Sequence, residues 1–270
     1  MQARKWVLNS LEVVAAEADR ATELLITEGQ EPVVKTLGIS WNSTEDTFTI
    51  SAANISTELP VTKRNALRKV ATVFDALRFV GPFVIKDKIL LQELWSRGYN
   101  WDDVIRDEIA SRIESWYGQL RSLGNVQVPR CLREEKEVVV KRVITFVDAS
   151  LQAYGTVVYL QCVYNDATVS SRLVASKCKV ALLKPMTVPR LELAGAVLGL
   201  RLTQHLMLVL GLPMQSVTFY SESIDVLWWI RGHGWNFRPF VANRIAEIQM
   251  VTEPSQWQHV PTGEIGRAHV

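Results

Sequence analysis

Two hydrophobic patterns divide the chain, and the first is helical. Upstream of about residue 124, apolar residues recur three and four positions apart, which predicts helices with one buried face. Thr62 is the predicted N-cap of the second helix, whose apolar stripe runs from Leu67 to Val80 and which Gly81–Pro82 ends. The predicted helices cover residues 9–28, 62–80, 83–98 and 102–123, and residues 33–50 predict two short strands joined by a polar turn.

The second pattern, from about residue 137 onward, is typical of a sheet covered by helices. Three runs rich in Val, Ile, Tyr and Thr predict strands over residues 138–150, 153–164 and 168–180. The predicted elements that follow are a long helix over 189–212, a strand over 215–223, helices over 223–232 and 237–251, and a last strand near 257–260. The order βββαβααβ predicts an α/β fold with a mixed sheet, and residues 124–133 are the predicted linker into it.

Composition restricts the function only broadly. A hydrophobic content of 48% and a charged content of 21% are typical of a globular protein. The net charge of +2 is too small to indicate nucleic-acid binding, so any such surface must come from local clustering. The three cysteines have no CxxC spacing, which indicates neither zinc nor a disulfide framework and fits a reducing intracellular setting. The apolar region near residues 206–212 is too short to span a bilayer, so no membrane partner is expected.

Three acidic residues occupy comparable places in the second half. Asp148 ends the first predicted strand of that half, Glu222 ends the fourth, and Glu192 lies in the predicted first turn of the long helix. Strand ends and a helix N-terminus can meet at one edge of an open α/β sheet. Clustered carboxylates repel one another unless a cation joins them, and hard oxygen ligands select Mg²⁺ or Mn²⁺. Taken singly, each acid also fits a structural role as a cap or turn residue.

Several phrases of the sequence resemble the Pol polyprotein of BEL/Pao-type LTR retrotransposons. FVDAS, LKPMTVPRLELAGAVLGLRL, FVANRIAEIQ and QWQHVP are similar to its ribonuclease H-like region, part of the Pao retrotransposon peptidase family region. KTLGISWN and TKRNALRKVATVFDALRFVGPFVIKDKILLQELW resemble the reverse transcriptase segment just upstream. The resemblance implies a ribonuclease H-like mixed sheet with flanking helices over residues 131–264, truncated at its end. Before it, the resemblance implies a palm remnant with a primer-grip-like hairpin over 1–55 and a mainly helical thumb- or connection-like segment over 56–130.

The resemblance also assigns roles to the three acids. Asp148 matches the first catalytic Asp and Glu192 the catalytic Glu, and with Glu222 at the third position they are the expected catalytic residues and the ligands of two Mg²⁺ or Mn²⁺ ions. Glu222 stands where the family usually has Asp before Ser, and its extra methylene pushes the carboxylate outward, which Mg²⁺ tolerates poorly. Asp225 is a weaker substitute one helical turn later. The family's fourth acid follows HVP(x)GE, where this chain reads IGRAHV instead.

Those six residues are expected to be an artefact. IGRAHV is what a common sequencing-library adapter encodes in this frame, so residues 265–270 are predicted to be an assembly artefact. The chain also begins abruptly within sequence that reads as structured, which suggests that its beginning is missing.

The upstream half lacks the paired palm aspartates that polymerisation needs. No Tyr-x-Asp-Asp motif precedes KTLGISWN, and Asp102–Asp103 are interpreted as a helix start, where acids suit the helix dipole. Two basic groups are candidates for phosphate contacts with an RNA–DNA hybrid or other nucleic acid. The residues proposed for binding are Lys63, Arg64 and Arg68 upstream, and Lys177, Lys179 and Arg190 just before Glu192.

Three functions remain open at this point. The first is metal-dependent hydrolysis of RNA in RNA–DNA hybrids, impaired in this fragment, in a protein whose other partner is the rest of the Pol polyprotein. The second is a catalytically inactive nucleic-acid-binding fragment that keeps the fold. The third, an aspartic peptidase as the family label suggests, is disfavoured because the sequence contains no Asp-Ser/Thr-Gly triplet. The expected location is intracellular and cytoplasmic, in a virus-like particle if the element is active.

Overall fold

The computed structural model of the chain contains two compact units. It describes residues 33–36, 39–50, 59–233 and 237–261. Within these, the first unit extends to Ala76 and includes Gly98–Cys131, and the second comprises Leu77–Arg97 and the residues from Leu132 onward. Residues of the predicted thumb-like segment therefore contribute to both units, and its assignment as a thumb stays a prediction. The predicted helix over 9–28 and the predicted artefactual tail lie outside the described residues.

The first unit combines a small antiparallel sheet with two helices. Its strands are β1 (Val33–Thr36), β2 (Ile39–Asn42), β3 (Thr47–Ile50) and β4 (Gln127–Pro129), paired in that order. Its helices are α1 (Lys63–Val70) and α3 (Glu108–Gln119), the latter followed by a 3-10 turn over Leu120–Asn125. Two predictions are corrected here, because residues 33–50 form three strands rather than two and the predicted linker contains β4, which pairs with β3.

The second predicted helix begins correctly but ends early. The Thr62 hydroxyl accepts a hydrogen bond from the Asn65 amide at 3.1 Å, which confirms the N-cap. The helix stops at Val70, and the Thr72 hydroxyl donates to the Lys69 carbonyl in place of a further helical turn. The predicted stripe is also wrong, because Leu67 is exposed and Lys63, Ala66 and Lys69 are buried instead.

Two further helix boundaries differ from prediction for local reasons. Gly81 and Pro82 start helix α2 (Gly81–Ser96) rather than end its predecessor, because proline fits the first helical turn, where its missing N–H is not needed. Helix α3 starts at Glu108 because Asp107 caps it, accepting a hydrogen bond from the Ile109 amide at 3.0 Å. Asp102 and Asp103 therefore lie before the helix, not at its start.

The second unit is built on a five-stranded mixed sheet, as predicted. Its strands, β5 (Val138–Ala149), β6 (Ala153–Tyr164), β7 (Val169–Val180), β8 (Val217–Ser221) and β9 (Trp257–His259), have the order β7-β6-β5-β8-β9. The pairs β5–β6 and β6–β7 are antiparallel, whereas β5–β8 and β8–β9 are parallel. Three antiparallel strands followed by two parallel ones are what the predicted order of elements requires.

Helices α4 (Val188–Leu210), α5 (Ile224–Arg231) and α6 (Pro239–Gln249) complete this unit, with α2 packed against β7. Helix α4 ends at Gly211, whose φ of 64° is the left-handed conformation that glycine adopts without strain. Among the described helices, α4 alone is long and apolar enough to cross a membrane. This differs from the sequence prediction, which considered only the short apolar region near residues 206–212. Half of the apolar stretch of α4 is buried, and the helix packs on β5 and β6. The buried apolar residues of α4 are therefore part of the core.

Glycines allow α4 to approach the sheet closely. A Cβ added at Gly199 would lie 2.5 Å from Val147 Cγ1 and 3.0 Å from Thr156 Oγ1. At Gly195 an added Cβ would lie 3.3 Å from the Asp148 carbonyl oxygen. The buried Thr145 and Thr203 hydroxyls are hydrogen-bonded at 2.7 Å across the same interface. The start of α4 is thus held beside the end of β5.

We expect Gly199→Ala to destabilise the second unit. Overpacking costs about 1–3 kcal/mol, which exceeds the gain of about 1 kcal/mol from replacing glycine in a helix. Hydrogen–deuterium exchange of the β5 and β6 amides measures the change. The matched control is Gly118→Ala on α3, where an added Cβ meets nothing within 4 Å and a small gain in stability is expected. Unchanged or slower exchange in Gly199→Ala would contradict the close packing.

Candidate active site

The parallel pairing of β5 with β8 places two of the predicted acids side by side. In the register of this pair, Val147 lies opposite Ser221. Asp148 and Glu222 each follow those residues by one position, at the same edge of the sheet. Their carboxyl groups are in hydrogen-bond contact. The structure therefore brings together two acids that are 74 positions apart in the sequence. The register of the β5–β8 pair places them side by side.

Glu192 approaches this pair from helix α4. The helix begins at Val188, so Glu192 is its fifth residue and lies in the second turn, not the first as predicted. It stands one turn before Gly195, which packs against the Asp148 backbone. The charges of Glu222 and Asp225 both act on the Glu192 carboxyl, and that of Glu192 acts on Asp148. All three predicted acids thus belong to one electrostatic group.

Crowding of the acids alters their protonation. The surrounding protein partly desolvates Asp148, and together with the hydrogen bond and negative charge of Glu222 this raises its pKa to about 6. The Ala149 amide donates to Asp148 Oδ1 at 2.6 Å and opposes that rise. Burial likewise raises the pKa of Glu192, and the charges of Glu222 and Asp225 add to it. The raised pKa of Asp148 therefore reflects both its partial burial and its nearness to Glu222.

The sequence analysis missed Ser223, which organises the Glu192 side chain. The Ser223 side chain is hydrogen-bonded to the Glu192 carboxylate, which opposes the rise in its pKa. The Ser223 hydroxyl also accepts from the Val226 amide at 3.3 Å as the N-cap of α5. The Ser223 amide in turn donates to Ser221 Oγ at 3.2 Å. A serine directly before a predicted helix was the available signal for this cap.

These residues fit a divalent cation, although they do not already form a ligand cluster. Among the described residues, no three His, Cys, Asp or Glu side chains converge as a metal-binding group. However, Glu192 Oε2 is buried and has no hydrogen-bond partner, which is costly for a carboxylate oxygen. Asp148 and Glu222 lie side by side, so a cation between them would relieve their repulsion. Hard oxygen donors of this kind suit Mg²⁺ or Mn²⁺.

The basic residues predicted around the acids lie on one face of the second unit. Lys177 and Lys179 are two positions apart on β7, opposite Thr156 and Tyr154 of β6. Thr156 contacts the Gly199 position of α4, so both lysines are on the side of the sheet that α4 covers. Arg190 lies with its guanidinium carbon 5.3 Å from the centroid of the Phe240 ring. These three residues remain candidates for phosphate contacts.

The upstream basic group differs from prediction. Lys63 is only 5% exposed, with its amine 5.7 Å from the Trp101 ring centroid, so it does not offer a surface charge and that assignment is corrected. Arg64 is exposed but binds Asp102 through two hydrogen bonds of 2.7 and 2.9 Å. Arg68 is exposed on α1. Arg64 and Arg68 therefore keep the accessibility that the prediction assumed, but the charge of Arg64 is already paired with Asp102.

Comparison with known proteins identifies similarity over most of the chain. A family model described as a Pao retrotransposon-like RNaseH-like domain matches residues 62–223. The comparison with curated proteins gives no match.

Several solved structures share parts of the architecture. The foamy viral protease-reverse transcriptase in complex with dsDNA has 15% identity and a TM-score of 0.46, over 85% of this chain and 44% of the viral one. The RNase H1 of the halophilic archaeon Halobacterium salinarum NRC-1 has 15% identity and a TM-score of 0.30, over 47% of this chain and 90% of that protein. An RNase H1 isolated from compost has 13% identity and a TM-score of 0.28, with coverages of 47% and 89%. The chain thus spans less than half the length of the viral protein, and at these scores none of the structures assigns it a function.

We expect Asp148→Asn to stabilise the second unit at neutral and alkaline pH in metal-free buffer. The folded pKa of Asp148, about 6, lies above the unfolded value of about 3.9. The contribution of Asp148 to the stability of the second unit is therefore fully present below about pH 4 and is lost as the pH rises through 6. The variant should be more stable than the wild type at about pH 8 and should lose that advantage near pH 4. Exchange of β5 and β6 amides with EDTA present measures this difference.

Asp166→Asn is the matched control with the opposite sign. Hydrogen bonds from Thr168, and then from Lys136, hold the pKa of Asp166 well below its usual range. Its stabilising contribution is present at neutral pH, so this variant should be less stable than the wild type there. A loss of stability in Asp148→Asn at about pH 8 would show that the acids do not repel one another as inferred.

Proposed function

The chain belongs to the Pao retrotransposon-like RNaseH-like domain family, and from this premise we propose that it hydrolyses the RNA strand of RNA–DNA hybrids with the help of divalent metal ions. The observation that carries the proposal is that Asp148 and Glu222 lie side by side at one edge of the sheet, with Glu192 near enough for its charge to act on Asp148. The pKa values of Asp148 and Glu192 are both raised, and groups with such perturbed pKa values are common at functional sites.

In the proposed reaction Asp148, Glu192 and Glu222 would hold two Mg²⁺ or Mn²⁺ ions. When bound, such ions supply an activated water and stabilise charge on the leaving oxygen. The water oxygen bonds to phosphorus as the P–O3′ bond breaks, and the departing oxygen takes a proton, which leaves a 3′-hydroxyl and a 5′-phosphate. Ser223 keeps the Glu192 carboxylate oriented toward its neighbours throughout.

The proposed substrate contacts are mainly to the backbone. Lys177, Lys179, Arg190 and, in the first unit, Arg68 are cations that can pair with phosphates. The RNA strand is distinguished from DNA by its shape and by its 2′-hydroxyl groups in the minor groove. We further propose that the rest of a Pol polyprotein is the physiological partner, in the cytoplasm or in a virus-like particle there.

The first unit is proposed to bind nucleic acid without copying it. The upstream sequence has no Tyr-x-Asp-Asp motif, and Asp103 accepts hydrogen bonds from the Asn100 amide at 2.8 Å and its side chain at 3.0 Å. Asp102 is paired with Arg64. Both acids are therefore engaged in local structure, which supports a polymerase remnant rather than a polymerase site.

A second candidate function is nucleic-acid binding without catalysis. Two observations favour it: Glu222 replaces the shorter Asp of the family pattern, and the described acids do not form a ready ligand cluster. Because Mg²⁺ demands near-ideal octahedral geometry, a carboxylate displaced by one methylene can abolish activity. An aspartic peptidase remains disfavoured for want of an Asp-Ser/Thr-Gly turn.

We expect Glu222→Asp to raise hybrid cleavage in Mg²⁺ about 10- to 100-fold above the weak or undetectable activity of the chain as it stands. That is the range of effect reported for changes that reorient metal ligands. The measurement is cleavage of an end-labelled RNA strand in a hybrid, with product ends mapped as 3′-hydroxyls. Asp148→Asn or Glu192→Gln in the Glu222→Asp background should remove the gained activity.

Glu135→Asp serves as the control for shortening an exposed glutamate elsewhere and should change nothing. No cleavage by Glu222→Asp would count against the metal-site assignment and favour the inactive binder. Cleavage of a polyprotein junction that Asp148→Asn abolishes would instead support the peptidase.

A further inference from the structure

Helix α2 buries an acidic residue that the proposed reaction does not use. Asp87, Leu90, Leu91 and Leu94 recur at the i, i+3, i+4 and i+7 spacing of one helix face, and all four are buried. Asp87 is 0% exposed, and neither of its carboxyl oxygens has a hydrogen-bond partner among the described residues. Charged carboxylates are seldom fully buried unless they are paired, so this position suits the protonated, neutral form.

Two hydrogen bonds attach the α2 segment to β7, one on each side of Asp87 in the sequence. The Ser176 amide donates to the Leu77 carbonyl, just before α2, at 3.3 Å. In the second half of the helix, the Gln92 side chain donates to the carbonyl of Ala181, the residue after β7, at 2.7 Å. The chain segments that precede and follow the α2 segment both belong to the first unit, so its packing on β7 is what makes α2 part of the second.

The surroundings of Asp87 favour its neutral form. Burial raises the pKa of Asp87 to about 7, and the charge of Lys88, the next residue of the helix, opposes this rise only in part. On β7 the titratable side chain turned toward α2 is Cys178, whose Sγ lies 3.4 Å from where a Cβ on Gly81 would stand. Burial raises the pKa of that thiol against the charges of Arg78 and Lys88, so the thiol is uncharged at neutral pH. The two lysines that flank Cys178 on β7 lie on the other face of the sheet, which α4 covers.

We propose that Asp87 makes the attachment of α2 to β7 depend on pH. While its carboxyl is protonated, the helix keeps its buried face and its hydrogen bonds to the strand. An ionised carboxyl in the packed helix lacks the hydration that it would have in water, so loss of the proton to solvent favours a state in which α2 has separated from β7. The fold thus contains a pH-sensitive device that is distinct from the acids at the edge of the sheet.

The direction of the pH dependence follows from the raised pKa of Asp87. An exposed aspartate in the separated helix has a pKa of about 3.9. The contribution of Asp87 to the attachment of α2 is therefore fully present below about pH 4 and is lost as the pH rises through 7. Between about pH 5 and 7 the separated helix binds one proton fewer, so the equilibrium constant for separation should rise about 50-fold.

The test is hydrogen–deuterium exchange of the α2 amides in the full chain with EDTA present, with each rate divided by the intrinsic exchange rate at that pH. Wild-type α2 should lose protection about 50-fold between about pH 5 and 7 and only about twofold more by about pH 8.5. Asp87→Asn and Asp87→Leu have no proton to lose, so protection of α2 should change less than about threefold over the same range. Asp87→Leu also removes the unpaired oxygens, so it keeps the test valid if the amide of Asp87→Asn destabilises the helix. Asp148 is present in all of these proteins, so its own titration cancels in the comparison.

Glu93→Gln is the matched control, an acid of the same helix whose carboxylate accepts a hydrogen bond from Arg97 at 2.6 Å. It should keep the pH dependence of the wild type. The proposal is overturned if both Asp87 variants show the wild-type pH dependence, or if protection of wild-type α2 does not change with pH. Equal losses of protection in α2 and β6 would show unfolding of the whole second unit instead of release of the helix, and would also overturn it.

Discussion

The parallel pairing of β5 with β8 is the constraint on which the rest of the site depends. Parallel neighbours require a crossover, and in this chain α4 supplies it and packs on β5 and β6. The pairing of Val147 with Ser221 then fixes Asp148 beside Glu222, and a slip of one residue would separate them. Gly195 and Gly199 allow α4 to lie close enough for Glu192 to join the pair. Hydrophobic packing therefore determines where the carboxylates meet.

That packing holds the acids in a state which is unfavourable by itself. Asp148 has a raised pKa because it is crowded by protein and by Glu222, and one oxygen of Glu192 is buried without a hydrogen-bond partner. This repulsion does not stabilise the fold, since neutral residues in the same places would avoid its cost in free energy. The proposed divalent ions would relieve this repulsion, and the Ser223 side chain holds the Glu192 carboxylate by a hydrogen bond.

The sheet and the strand-end positions of Asp148 and Glu222 could be predicted because their signals are local, whereas Glu192 lies one turn later in its helix than predicted. Runs of β-branched residues defined β5, β6 and β7, and strand-end acids followed directly from those boundaries. The helical half was predicted less well because its burial depends on tertiary partners. Lys69 is buried against Tyr117 with its amine 3.5 Å from the ring centroid, while Leu67 on the same helix is exposed. Periodicity alone assigns the opposite faces.

Helix α4 also explains why the acidic and basic features of the second unit occur together. One turn of the helix carries Glu192 toward the strand ends. Residues two to nine positions later, from Ala194 to Arg201, line a pocket of about 340 Å³ together with Lys179 and Arg244. A rigid helix transmits position over this length, because its backbone hydrogen bonds and its buried face prevent local adjustment. The sequence spacing on a single helix therefore sets the geometry between the acids and the pocket.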